Sequence, residues 1–266
     1  MEESRTRIVG WNICAGGGRR WEALAAQLVR WSPDVVALCE YRGTVPSASL
    51  GRALADLGLA HQLSTTAVAR PSANRLLVAS RWPLRPIRQR HAPREPGRWL
   101  LVAVGAPHPF TLGAMHVPNR VSGRKWGFLD AVLAVARRWR DGPALLLGDT
   151  NSGRPGVDEE VSAFNRREGA WIDALERAGW RDAFRHVRGE ERAYTWYSPN
   201  GGNGFRIDQA FLNPTLLPEL VTASYAWGRP ESGRGPRRVL SDHAALLVDL
   251  ARPGRTSPAR RDAALV

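Results

Sequence analysis

Four apolar runs in this chain each place a polar residue, acidic in most cases, at or beside one end. Ile8-Val9-Gly10-Trp11 leads into Asn12, and Val35-Val36-Ala37-Leu38-Cys39 leads into Glu40. Ala144-Leu145-Leu146-Leu147 leads into Gly148-Asp149-Thr150-Asn151, and the pair Asp242-His243 adjoins the run 244–250. Packing gives a buried strand no reason to end this way. A site for a metal and a phosphate, shared by several strand ends, does.

Hydrophobic spacing assigns the remaining segments. Leu24, Leu28 and Trp31 follow helical spacing, and Ser32-Pro33 stops that helix. Helices are expected at 21–31, 50–57, 125–140 and 159–178, the last broken at Gly169. Strands are expected at 7–11, 35–38, 75–79, 99–104, 110–116, 144–147, 205–212 and 244–250. No helix long enough for a parallel crossover separates the three strands between 75 and 116, so they are expected to be antiparallel. Helices alternate with strands in both halves of the chain. The expected fold is therefore α/β, with two mixed sheets packed face to face and helices outside. No linker or internal repeat interrupts residues 1–250, which are read as one domain. The Arg-, Pro- and Ser-rich tail, 251–266, is expected to be disordered.

With 266 residues, 43% of them apolar, the chain can fill a core. Its formal charge is +13, which favours a polyanionic partner, nucleic acid first, or an anionic membrane surface. Lys125 is the only lysine among 38 basic residues. Such a bias can come from coding composition, but guanidinium groups also suit bidentate contacts to phosphate. Arg19-Arg20, Arg120, Arg124-Lys125 and the stretch 234–238 fall in expected loops near the strand ends, where they could grip a phosphate backbone. Cys14 and Cys39, both placed at buried strand ends, form neither a disulfide framework nor a zinc pattern. Trp21, Trp31, Trp126, Trp139 and Trp171 fall at helical spacings and are read as core. No apolar run reaches about 18 residues and no leader is evident. The chain reads as soluble and cytoplasmic, with no membrane partner and no obligate protein partner.

Glu40, Asp149, Asp208 and Asp242 each lie beside a hydrophobic strand. Converging carboxylates repel one another and resist desolvation unless a cation sits among them. Oxygen donors select a hard divalent ion, Mg²⁺ or Mn²⁺. Asn12 and Asn151 add neutral amides that can orient a water. His116 and His243 can donate protons to phosphate oxygens or to a leaving group. Together these are the parts for metal-assisted attack of water on a phosphodiester.

The same residues resemble the endonuclease/exonuclease/phosphatase superfamily, related to DNase I. The resemblance runs through Trp11-Asn12, Leu38-Cys39-Glu40, the segment from Met115 to Asn119, Gly148-Asp149-Thr150-Asn151, Arg206-Ile207-Asp208 and Ser241-Asp242-His243. It implies a four-layered α/β sandwich. It further implies that Glu40 is the main metal ligand with Asn12 beside it, and that Asp242 is a second metal-side carboxylate. Asp149 would activate or protonate, Asn151 would orient the attacking water, and His243, held by Asp208, would contact the scissile phosphate opposite His116. Segments 171–175, 179–185 and 194–197 resemble the exonuclease III and abasic-site endonuclease branch. In that branch, residues matching Trp196, Phe205 and Ile207 line a pocket for a base-less sugar. An apolar slot of this kind admits a flipped deoxyribose and excludes a nucleotide that keeps its base. Two other readings stay open. One is a phosphoesterase acting on DNA-end adducts, RNA or a small phosphorylated molecule. The other is a non-catalytic nucleic-acid-binding protein on the same fold.

Overall fold

The computed structural model describes residues 5–229 and 239–251. From the N-terminus the chain forms β1 (Arg5–Asn12), α1 (Trp21–Trp31), β2 (Val35–Tyr41), α2 (Val45–Asp56), β3 (His61–Ser64) and β4 (Arg75–Ser80). The middle forms β5 (Leu84–Pro86), β6 (Trp99–Val104), β7 (Phe110–His116), α3 (Lys125–Arg138) and β8 (Ala144–Asp149). There follow α4 (Arg166–Arg177), β9 (Arg181–Asp182), α5 (Ala183–Arg188), β10 (Trp196–Tyr197) and β11 (Gly204–Phe205). Last come β12 (Asp208–Leu212), β13 (Leu220–Ala226) and β14 (Ala245–Ala251).

Two six-stranded sheets result, ordered β13-β14-β1-β2-β4-β3 and β5-β6-β7-β8-β12-β9. Each holds one parallel pair, β1–β2 and β7–β8, among antiparallel neighbours. One core fills the space between the sheets, with Ile8, Val35, Val78, Leu112, Leu145 and Val248 among its members. A second lies between the first sheet and α1–α2, through Val9, Leu24, Leu28, Val36 and Leu50. A third joins the other sheet to α3 and α4, through Phe128, Val132, Leu146, Trp171 and Leu175. The molecule is thus a four-layered α/β sandwich, as the resemblance implies.

The two-residue period of a strand positions the polar ends. Leu145 and Leu147 face the inter-sheet core, and Asp149 is next on that face of β8. Leu112 and Ala114 lead to His116 on β7 in the same way, and Ala210 and Leu212 share a face with Asp208 on β12. From the opposite sheet, Ile8 and Gly10 lead to Asn12. A Cβ at Gly10 would stand 2.7 Å from Leu147 Cδ1, so the missing side chain lets the two sheets approach just below these residues. The dry interior therefore opens at one end into a polar cleft.

Several sequence expectations need correction. The strand 75–79 pairs with β2 and β3 in the first sheet and not with β6 or β7, although all of these pairings are antiparallel. Residues 159–165 are not helical. The Glu159 carboxylate accepts the backbone N–H groups of Gly156, Ala163 and Phe164, which satisfies a loop where a helix was expected. A capping box formed by Asn165 and Glu168 then starts α4, and Gly169 lies within that helix without breaking it. The strand expected over 205–212 is split, because Thr195 Oγ1 takes the N–H groups of Ile207 and Asp208 out of the ladder. Cys39 is buried in β2, whereas Cys14 lies half-buried in the turn beyond β1. The 234–238 stretch and almost all of the tail fall outside the described residues.

Candidate functional site

Glu40 reaches the cleft against the alternation of its own strand. Val36 and Leu38 face the helices, and regular pleating would send Glu40 with them. A register shift between Cys39 and Tyr41 and a φ of 60° at Glu40 interrupt the pleat. A bulge re-aims a side chain, and left-handed backbone at a non-glycine residue persists only where its surroundings over-determine it. Here Ala15 N–H donates to Glu40 Oε2 at 2.7 Å. Ala15 belongs to a run from Cys14 to Gly18 in which every φ is positive. Arg20 closes that run by donating to the carbonyls of Ile13, Cys14 and Leu240.

On the facing sheet, His116, Asp149 and Asp208 lie abreast in the ladder. His116 Nε2 is 3.6 Å from Asp149 Oδ2, and His243 Nδ1 is 2.9 Å from Asp208 Oδ2. Asn12 Nδ2 donates to Asp149 Oδ2 at 3.0 Å, bridging the sheets. The 240–243 loop is held on the end of β1, where Trp11 Nε1 donates to the His243 carbonyl and Ser241 Oγ to the Asn12 carbonyl. Asn151 has a φ of 45°. Its N–H donates to Asp149 Oδ1 at 2.9 Å and its Nδ2 to the Val117 carbonyl at 2.8 Å.

Glu40, His116, Asp149, Asn151, Asp242 and His243 line one cleft of about 310 Å³, with Trp196 and Ile207 on its wall. Its electrostatics are lopsided. Burial lowers the His116 imidazole to about 4, and nearby Asp149 offsets this only in part. His243 is equally buried, but its hydrogen-bonded partner Asp208 more than reverses the desolvation and raises it to about 10. Asp149 is raised by burial, with both histidines pulling the other way. Near pH 7 the cleft thus holds one neutral and one cationic imidazole.

The donor set suits a hard cation. Among the described residues, Asp149, Asp208 and His243 offer ligand atoms within 4.8 Å of one another. His243 is already hydrogen-bonded to Asp208, so the oxygens of Glu40 and Asp242 form the freer side. Asn12 is buried against Asp149, with its Oδ1 accepting Cys14 N–H at 3.1 Å.

A second cavity of about 230 Å³ adjoins the cleft, lined by Trp196, Phe205, Ile207 and Phe164 together with Asn151 and Glu168. Trp196 and Ile207 belong to both cavities. The Trp196 ring centroid lies 5.9 Å from that of Phe205 and 6.4 Å from that of His243. Between the two wall residues Phe205 and Ile207, Arg206 is fully buried and paired with Asp158 and Asp182 at 2.7 Å each.

The structure thus gathers Asn12, Glu40, His116, Asp149, Asn151, Asp208, Asp242 and His243 at one place, and Trp196, Phe205 and Ile207 beside it. Arg124 is exposed at the start of α3, on the lining of neither cavity. Lys125, expected on a surface that grips phosphate, is instead buried in an ion pair with Glu168. Of the expected core tryptophans, Trp139 and Trp171 are buried, and Trp21, Trp31 and Trp126 are partly so. The sequence reading missed Asn74 and Arg98, which also line the cleft. Arg98 comes from a Pro- and Arg-rich turn that carries no strand-end signal, and Phe164 from the segment misread as helix.

Two packed mixed sheets whose strand ends deliver carboxylates, amides and a carboxylate-held histidine into one cleft define a DNase I-like α/β sandwich. The chain belongs to the endonuclease/exonuclease/phosphatase family, whose sequence model matches residues 9–243. Members of this family are hydrolytic nucleases or phosphatases. Similar solved structures include a 3'-5' exonuclease from Neisseria meningitidis, with TM-score 0.73, 21% identity, and coverage of 93% of this chain and 100% of that one. An AP endonuclease from Archaeoglobus fulgidus has TM-score 0.72 and 18% identity, covering 91% of this chain and 98% of that one. An AP endonuclease from Leishmania major has TM-score 0.71 and 18% identity, covering 94% and 88%. No curated protein sequence is a significant match. Among the described residues, no helix is long and apolar enough to cross a membrane.

Proposed function

We propose that this protein is a divalent-metal-dependent phosphodiesterase acting on DNA, of the exonuclease III and abasic-site endonuclease kind. The observation that carries this reading is the apolar slot of Trp196, Phe205 and Ile207, which opens directly onto the cleft of Asp149 and His243. A phosphate in the cleft leaves the slot for the attached sugar, and apolar walls suit a sugar that has lost its base. The charge of +13 and the similarity in fold to proteins described as AP endonucleases support the same substrate class.

Glu40 and Asp242, with Asn12 beside them, would hold Mg²⁺ or Mn²⁺, which neutralises phosphate charge and activates water. His243, kept cationic by Asp208, donates to a phosphoryl oxygen. Neutral His116 donates from the other side without adding charge. Asp149, its carboxyl raised by burial, takes or returns a proton, and the Asn151 carboxamide oxygen orients the water. With Mg²⁺ present, the purified protein should incise an abasic duplex far faster than an intact one and should also hydrolyse bis-p-nitrophenyl phosphate. Equal rates on the two duplexes overturn the abasic reading. No hydrolysis of any phosphodiester overturns the enzymatic one.

A further inference from the structure

Lys125 is the single lysine among 38 basic residues. A chain that uses arginine for every other cationic side chain keeps an ammonium at this one position. It opens α3, is 2% exposed, and lies on the wall of the slot. Its Nζ donates to Glu168 Oε1 and to the backbone carbonyl of Asn151. Burial lowers its pKa, with the Glu168 carboxylate opposing.

Glu168 is itself fixed. It is fully buried at the start of α4, where it accepts Asn165 N–H at 2.8 Å and both Nε and Nη2 of Arg120. A buried ion pair is weak evidence for stability, because well-packed apolar residues of similar volume often serve as well. What an apolar replacement cannot do is donate to the Asn151 carbonyl. Asn151 is held in left-handed backbone, a conformation its surroundings must fix. Its N–H is held by Asp149, its Nδ2 by Val117 and its carbonyl by Lys125. Its side-chain oxygen is the group without a protein partner among the described residues, and Asn151 lines the cleft. An ammonium is a compact donor able to serve two acceptors in different directions. A guanidinium is a flat fork of five N–H groups that needs more room and more acceptors.

We infer that Lys125 is a positioning residue: anchored by Glu168 and bonded to the Asn151 carbonyl, it sets the carboxamide oxygen that orients the attacking water. This rests on the phosphodiesterase reading above, and it moves Lys125 from the DNA-gripping surface to the support of the reaction.

The test is a double-mutant cycle of Lys125→Met and Asn151→Ala, assayed with Mg²⁺ on an abasic duplex and on bis-p-nitrophenyl phosphate. Lys125→Met should lower kcat about 10- to 100-fold on both substrates, as loss of a supporting contact does, and leave KM for the duplex unchanged. In the Asn151→Ala background it should add no further loss, because the two residues act as a unit. Lys125→Arg, which restores the charge, should not restore kcat. Lys125→Met/Glu168→Gln removes both buried charges together, leaves only the exposed Arg120 without its carboxylate, and keeps the acceptor for Asn165. It should melt near the wild-type temperature while kcat stays low, which separates positioning from folding. Additive losses in the cycle, full activity of Lys125→Arg, or a rise in KM at unchanged kcat would overturn the inference while the phosphodiesterase reading stood. A wild-type protein that hydrolyses neither substrate overturns both.

Discussion

His243 Nδ1 lies 2.9 Å from Asp208 Oδ2, and Asp208 is paired in register with Asp149 on the neighbouring strand. The charge on one cleft residue is therefore set by a second and lies close to a third. Asp208→Asn keeps the size of the side chain and removes its charge. His243 should then titrate well below about 10, because burial alone pushes it down. Turnover near pH 8 should fall about 100-fold or more, as for loss of a charged donor to the phosphoryl oxygen, and recover in part as the pH drops. The imidazole shift by NMR and the pH–rate profile report both effects. An unchanged His243 titration would show that Asp208 does not control it.

Glu40→Gln should abolish most metal-dependent hydrolysis at low Mg²⁺ with the fold intact. The amide still accepts Ala15 N–H but no longer offsets a cation. Turnover followed against Mg²⁺ concentration checks this, and wild-type activity at low Mg²⁺ would remove Glu40 from the metal site.

His116 gives a signed prediction for stability. Its pKa is lowered from 6.5 to about 4 in the folded state, so between those values the unfolded chain binds the extra proton. The contribution of His116 is fully present above about pH 6.5 and is lost as the pH falls toward about 4, a swing of order 3 kcal/mol. His116→Asn should flatten that part of the acid limb in urea unfolding measured across pH. An identical acid limb in the variant would mean that the ring is not buried neutral.

Trp196→Ala should reduce incision of an abasic duplex while sparing bis-p-nitrophenyl phosphate, which never enters the slot. Loss of one aromatic wall is worth about 1–3 kcal/mol of discrimination. Paired kcat/KM values on the two substrates decide the matter, and equal losses would make Trp196 a packing residue.

The polar ends of the apolar runs were legible because burial and chemistry leave opposite marks in a sequence. A run such as 144–147 has no packing use for Asp149, and a run such as 35–39 none for Glu40. How Glu40 turns into the cleft was not legible, since it depends on a bulge and on an N–H from Ala15, 25 residues away. The short edge strands β3 and β5 carry too few apolar residues to announce themselves, and β13 interrupts its apolar residues with Thr222 and Ser224. Lys125 was misread because a basic residue beside a loop resembles a surface grip. Its burial is decided by Glu168, 43 residues further on. Arg98 enters the cleft through tertiary packing alone.

The close approach of Gly10 to Leu147 carries a consequence for how this molecule can vary. Half of the cleft hangs from one sheet and half from the other, so the gap between Asn12 and Asp149 is only as reproducible as the thickness of the filling two residues below. A methyl group at Gly10 would meet Leu147 Cδ1 at 2.7 Å and act as a wedge. Hydrophobic changes in this layer, silent in most proteins so long as the fold survives, would register here as changes in turnover, and drift in the interior would be under the same selection as the chemistry.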